Sequence, residues 1–226
     1  MMGTHLGVTC PSHHLIAVRA VYVAKPGVLG VRRGEPVISG IAKRPVAADT
    51  IQVGRTNLDG DGQGDRKNHG GPDKAVYAYP AEHLGRWRSE IGYGDGPAPF
   101  GENISIVGAL EDAARIGDLW RWGSVVLQIS QPRWPCFKLA MHSGDPMLPK
   151  RLVETNRCGW YLRVLTEGEA PVGGDIELIE RHTAGVTVRD AFLAARKEVS
   201  PEVFQRVRGL DVLAPTWHTH LDNVWD

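Results

Sequence analysis

The residue types with the most chemistry gather in Ser130–Met141, SQPRWPCFKLAM. Pro132 and Pro135 fix their own φ and restrict the residues before them, so the chain leaves a strand here along a stiff path. Cys136 follows, with Arg133 and Lys138 close by in sequence. Cations beside a thiol favour the thiolate, the form that attacks electrophiles and ligates soft metals. A cysteine is just as often a small buried apolar residue, and the residues alone leave both fates open for Cys136.

A second cluster lies in DRKNHGGPDKAV, where Arg66, Lys67, His69, Asp73 and Lys74 surround Gly70-Gly71. Glycines let backbone N–H groups approach an anion closely. The spacing is not that of a P-loop, so nucleotide hydrolysis is not indicated. Taken alone, the segment reads as a solvated turn whose charges do nothing. Glu102 and Asn103, in FGENI, can orient a ligand or equally satisfy backbone groups in a turn. Cys158, beside Gly159 and Trp160 at a strand entrance, reads as structural. His218 and His220 are two apart in a helical pattern and point to different faces, which is poor geometry for a metal pair. Cys10, Cys136 and Cys158 are scattered with no CxxC, which argues against a disulfide scaffold and against a thiolate zinc site.

The elements that must position these residues are mostly strands. His14–Lys25 is β-branched and roughly alternating; Val37–Lys43 and Ala48–Val53 follow the same pattern. Leu58–Lys74 carries five glycines and little apolar content and reads as a long surface loop. Pro80–Ile91 has Leu84, Trp87 and Ile91 at helical spacing, closed by Gly92. GENISIVG and GDLWRWGSVVLQISQPR read as strands broken by glycine turns, Pro146–Val153 as a short helix, and CGWYLRVLTEG and GGDIELIERH as strands joined by a turn around Gly168–Gly174. Trp87, Trp120, Trp122, Trp134 and Trp160 are spaced like core or rim residues. Beyond His182 come three short helical patterns, the first capped by Thr187, the second by Ser200 with Pro201 in its first turn. The expected division is a flexible leader over 1–13, a β-rich domain over 14–182 and a small three-helix domain over 183–226.

Composition narrows the function. The 226 residues carry 26 Lys and Arg against 26 Asp and Glu, a formal net charge of zero, which argues against a basic nucleic-acid coat or a polybasic membrane binder. A hydrophobic content of 42% is that of a globular chain, and 27 glycines with 15 prolines lean toward a β-rich fold. The N-terminal residues lack a basic stretch followed by a long apolar run, and nothing approaches the roughly 20 apolar residues of a membrane span. A cytoplasmic location is the expectation.

SGIAKRPV, DRKNHGGPDKAVYAYP, FGENI, IGDLWRWGSVVLQISQPRWPCFKL and RCGWYLRVLTEGEAPVGGDIELIERH, in that order, resemble the MOSC domain, the module named for the C-terminal part of molybdenum cofactor sulfurase. The nearest branch is the bacterial YiiM-like one, and the tail resembles the three-helix domain that follows MOSC there. HGGPDKAV and PRWPCFKL are specific together and weak apart.

The resemblance implies a mainly β, barrel-like fold with peripheral helices, and Cys136 at the rim of a basic cleft as the protein ligand to molybdenum in a pterin cofactor, molybdopterin. By analogy Arg133, Lys138, Lys43, Asn103 and His69 line that cleft, with His69 as candidate proton donor because an imidazole titrates near neutrality. It further implies reduction of N-hydroxylated compounds such as hydroxylaminopurines, a detoxification, and brings an association with pyridoxal phosphate binding. The sequence has no Gly-rich Rossmann fingerprint and no iron–sulfur cysteine set, so electrons are expected from a separate flavin or iron–sulfur reductase. Stable nucleic-acid or membrane binding is not expected; oligomerisation stays open. Competing classes are a sulfur carrier using a Cys136 persulfide, a non-catalytic cofactor-binding module, and a thiol peroxidase, for which Cys10 and Cys158 are poorly spaced resolving partners.

Overall fold

A computed structural model describes residues 15–64 and 70–225. Its twelve strands are β1 (Ile16–Val23), β2 (Gly27–Arg32), β3 (Glu35–Ser39), β4 (Arg44–Pro45), β5 (Thr50–Val53), β6 (Val76–Pro80), β7 (Ile104–Val107), β8 (Leu119–Trp122), β9 (Val125–Pro132), β10 (Trp160–Thr166), β11 (Gly168–Pro171) and β12 (Gly174–Glu180). Seven close into a barrel in the order β1-β12-β8-β9-β10-β6-β7, with β7 pairing back onto β1. Closure is made by antiparallel pairing of the chain's first and last barrel strands, Ile16 opposite Ile176. β4 adds to β1, β5 pairs with β11, and β2–β3 is a separate hairpin. The mainly β expectation holds.

Local chemistry explains the strands. β1 buries Ile16 and Val18, then skips a register between Val18 and Ala20 opposite β7, so that Val21 rather than Ala20 returns to the core. β6 is buried along its whole length and pairs antiparallel with β10 and parallel with β7. A parallel pair needs a crossover, supplied here through α1 (Glu82–Ile91), which seats Trp87 in the core and ends at Gly92 in the left-handed conformation.

Several boundaries move. Pro80 ends β6 instead of opening α1. The predicted strand over 37–43 stops at Ser39, and the turn around 168–174 contains β11. The hairpin partner β2, the buried strand β6 and α2 (Phe137–Ser143) have no counterpart in the sequence reading. The stretch from Leu58 is not wholly a surface loop: Leu58 joins the core and the Asp61 side chain is buried, while the loop ends in a single 3₁₀ turn at Pro72–Lys74. The short helix expected near 146–153 is α3 (Leu148–Thr155).

Three helices follow, α4 (Val188–Ala194), α5 (Pro201–Arg208) and α6 (Pro215–Trp225). Thr187 and Asp190 form a reciprocal capping box on α4, and the Ser200 hydroxyl accepts from the Val203 N–H on α5. These helices brace the exit of β9. Ala214 donates its N–H to Ser130 O, the Thr216 hydroxyl donates to the Gln131 side chain, and the Trp134 ring lies 5.0 Å from Phe192 and 4.8 Å from His220. The segment that carries Cys136 is therefore held from outside the barrel. No helix among the described residues is long and apolar enough to cross a membrane.

Candidate functional site

β9 runs out at Pro132, and the next residues turn inward. Arg133 donates its N–H to Gly159 O, after which Pro135 leads to Cys136 in extended geometry as the N-cap of α2. Cys136 is half-buried and opens on a cleft with about 680 Å³ of free space, part of it in contact with solvent. Among the described residues Lys43, Lys74, Arg133 and Lys138 line it together with the Asp61 carboxylate. The walls between them are Gly40, Gly62, Gly64 and Gly101 with the rings of Tyr77 and Tyr161. Gly101 is required: its φ is +76°, and a Cβ there would come within 2.5 Å of Ile41.

One polar staple holds three chain segments at this cleft. Asp61 accepts from the Lys43 ammonium at 2.5 Å, from the Ala24 N–H at 2.8 Å and from the Asn103 side-chain amide at 2.9 Å. The Asn103 carbonyl oxygen accepts the Tyr77 N–H at 3.1 Å. Asn103 thus serves the fold at the same time as it faces the cleft. Burial pushes the Lys43 pKa below its ordinary value, and neighbouring Asp61 resists that fall.

Arg133 is the unusual member. It is only 5% exposed, stands 5.5 Å over the Tyr77 ring, and its Nη1 has no hydrogen-bond partner among the described residues. Burial works against its charge, but the surrounding Tyr77, Tyr161, Cys136 and Cys158 hold its pKa above the ordinary value. A buried guanidinium with an unspent donor beside a cleft suits an anion arriving from outside.

Behind the cleft lies Glu102, fully buried, with Oε2 accepting the Phe100 N–H at 3.0 Å and Oε1 without a partner among the described residues. Burial raises its pKa to about 7 from 4.5, although its own and Phe100 backbone hydrogen bonds, Arg133 and Lys43 pull the other way. The folded chain keeps this proton where the unfolded chain has released it. Stability from Glu102 is therefore complete below pH 4.5 and is lost as pH rises through about 7, by at most roughly 3 kcal/mol. In urea unfolding at a series of pH values, Glu102→Gln is expected to flatten the fall between pH 5 and 8. Parallel pH dependences in variant and parent would refute this.

Of the residues named from the sequence, Cys136, Arg133, Lys138, Lys43 and Asn103 meet at one cleft; His69 lies outside the described residues. Lys74 is a correction. Its segment reads as an idle turn, yet Lys74 lines the cleft while its neighbour Asp73 pairs outward with Arg163. Asp61, Tyr77 and Tyr161 were missed; their only signal is proximity to glycines and to β-branched or aromatic runs, which any strand shares. Cys158 is fully buried, its thiol pushed up by desolvation, as a structural residue requires. Among the described residues no three His, Cys, Asp or Glu side chains converge on a metal position. A metal held at Cys136 would need further ligands from a carrier of its own. A wider groove, with about 2290 Å³ of free space open to solvent, runs along β12 and β8, and among the described residues no cysteine, histidine or lysine lines it.

Barrel, cleft and cysteine together define the class, and comparison with known proteins agrees. The MOSC domain family profile matches residues 65–177, and the chain belongs to that family, in its YiiM-like branch. Among relatives, the Bacillus subtilis protein YflK is 41% identical over 175 residues, 77% of this chain and 78% of its own. The crystal structure of YiiM from Geobacillus stearothermophilus superposes with a TM-score of 0.77 at 29% identity, covering 93% of this chain and all of that one. A Gibberella moniliformis protein called "Reductase" is 37% identical over 121 residues, half of this chain but only 21% of its own length.

Proposed function

We propose that this protein binds a molybdenum–pterin cofactor in the Cys136 cleft and reduces N-hydroxylated compounds with electrons from a separate protein donor. The observation that carries the reading is the pairing of an accessible cysteine with four cations, one of them the buried Arg133 with an unspent donor. The donor set fits the group: a soft thiolate for a metal that brings its own sulfur ligands, and an excess of positive charge for a phosphate-bearing pterin. When bound, the cofactor supplies a two-electron redox couple that no side chain of this chain has.

The remaining work falls to the residues. Cys136 Sγ holds the metal as thiolate. Arg133, Lys74 and Lys138 offset the anionic cofactor, and Lys43 does so from its pairing with Asp61. Tyr77 and Tyr161 form the less polar walls. The overall conversion breaks the N–O bond, consumes two electrons and two protons, and releases the oxygen as water. His69 stays in the proposal as proton donor on its chemistry alone. The Gibberella relative supports the reductase reading by its name, over a shared segment that is 21% of its length.

The test is to purify the chain from cells that make the cofactor, measure molybdenum, pterin and pyridoxal phosphate, and assay reduction of a hydroxylamino substrate with dithionite as donor. Molybdenum and pterin in near one-to-one ratio with turnover are expected. Transferable sulfane sulfur on Cys136 without molybdenum would favour the sulfur carrier, pterin without turnover the passive binding module, and a Schiff-base chromophore a pyridoxal phosphate protein.

A further inference from the structure

We infer that the outer face of the β2–β3 hairpin is the docking surface for an acidic electron-carrier protein. This rests on the reductase reading and gives the donor its place at the same site.

Exposed large apolar side chains are few, and they gather here. Of the seven among the described residues, Val28 (68% exposed), Val31 (67%), Ile38 (40%) and Phe137 (37%) belong to this hairpin and the first residue of α2. Val28 stands opposite Ile38 across the hairpin, and Val31 opposite Pro36. A hairpin alone is marginal in water, and among the described residues this one joins no other strand. It rests instead on α2. A Cβ on Gly30 would lie 2.9 Å from Met141 Cε, and the Arg32 guanidinium sits 4.2 Å over the Phe137 ring. The hairpin is thereby fixed in position by its inner face, and the outer face with Val28, Val31 and Ile38 is left exposed among the described residues.

Its place and charge say what covers it. Beyond β3 the chain runs directly into the cleft wall at Ser39, Gly40 and Ile41, and Phe137 is the residue after Cys136. A protein seated here therefore stands at the mouth of the site. The exposed charges on the hairpin and its entry are Lys25, Arg32 and Arg33 against Glu35, a local excess of two positive charges on a chain whose total is zero. None of the three cations is ion-paired among the described residues. A small apolar centre with a basic rim matches a transient partner steered by negative charge, and the same excess repels a second copy of this face.

The probe is an acidic flavodoxin, titrated into the full chain by calorimetry at low ionic strength and again at about 0.5 M salt, where exposed charges are screened. Arg32→Glu with Arg33→Glu is expected to weaken binding about tenfold or more at low salt, and Val28→Ser with Val31→Ser several-fold at both salts. Dithionite-driven turnover should be unchanged in both variants. The proposal is overturned if the parent shows no salt-sensitive binding, if charge reversal leaves the Kd unchanged, or if an RNA duplex binds this face more tightly than flavodoxin. Loss of dithionite-driven turnover in the parent would instead strike the reductase reading, since the binding experiment needs no turnover.

Discussion

On the proposed cofactor reading, Cys136→Ser is expected to retain no molybdenum while the barrel stays folded. The serine hydroxyl remains protonated at neutral pH, so the metal would lose the anionic sulfur ligand that anchors it to the protein. Removing an outer-shell partner of a ligand already costs 10–100-fold in metal affinity, and loss of the ligand itself should cost on the order of 100-fold or more. Folding should suffer little for a local reason. Position 136 is the N-cap of α2 with extended backbone, and the cysteine makes no side-chain capping bond there. Serine is a favoured N-cap and can contribute up to about 1 kcal/mol where cysteine contributes none. The discriminating result is metal and pterin content near background beside an unchanged or slightly higher Tm. Equal molybdenum in both proteins removes Cys136 as the ligand, whatever happens to turnover.

Arg133→Met should move stability and cofactor retention in opposite directions. The guanidinium is buried with Nη1 unpartnered among the described residues, a condition that costs free energy when no ligand is bound. Methionine fills a comparable volume against Tyr77 without a charge to desolvate, so the cofactor-free protein is expected to be as stable as the parent or up to a few kcal/mol more so. Cofactor binding should fall by roughly 10- to 100-fold, the size of a lost charge-assisted hydrogen bond. Thermal melts of cofactor-free protein and pterin retention through gel filtration read the two effects separately. A variant that is both less stable and fully loaded would show that Arg133 serves the core and not the ligand. Arg133→Lys is the companion: it keeps the charge but loses the planar fork, and intermediate retention is expected.

Much of this protein is legible from local pattern. The caps at Thr187 and Ser200, the αL stop at Gly92 and the Gly123 turn between β8 and β9 are written in two to four residues, and the structure uses each one. β6 escapes for a physical reason. VYAYP is buried on both faces, so it has no alternation, and a short apolar run without period looks alike in a strand, a helix or a loop edge. β2 escapes because Gly27 and Gly30 dilute the strand signal, although Gly30 is what lets Met141 close against the hairpin.

By itself the sequence marked a candidate: a cysteine after two prolines, with Arg133 and Lys138 close by, is a local fact of covalent order, and it left open whether the thiol faces a ligand or is buried. Only the tertiary structure decided what surrounds it. Lys43, Asp61, Lys74 and Tyr77 come from segments far from Cys136, and they converge because β1 pairs with β12 and β6 with β10. Such pairings depend on which distant strands bury their apolar faces together when the barrel closes. No window of neighbouring residues contains that information, so the same lysine that reads as an idle turn residue becomes, once the ring is shut, part of the wall of a charged cleft.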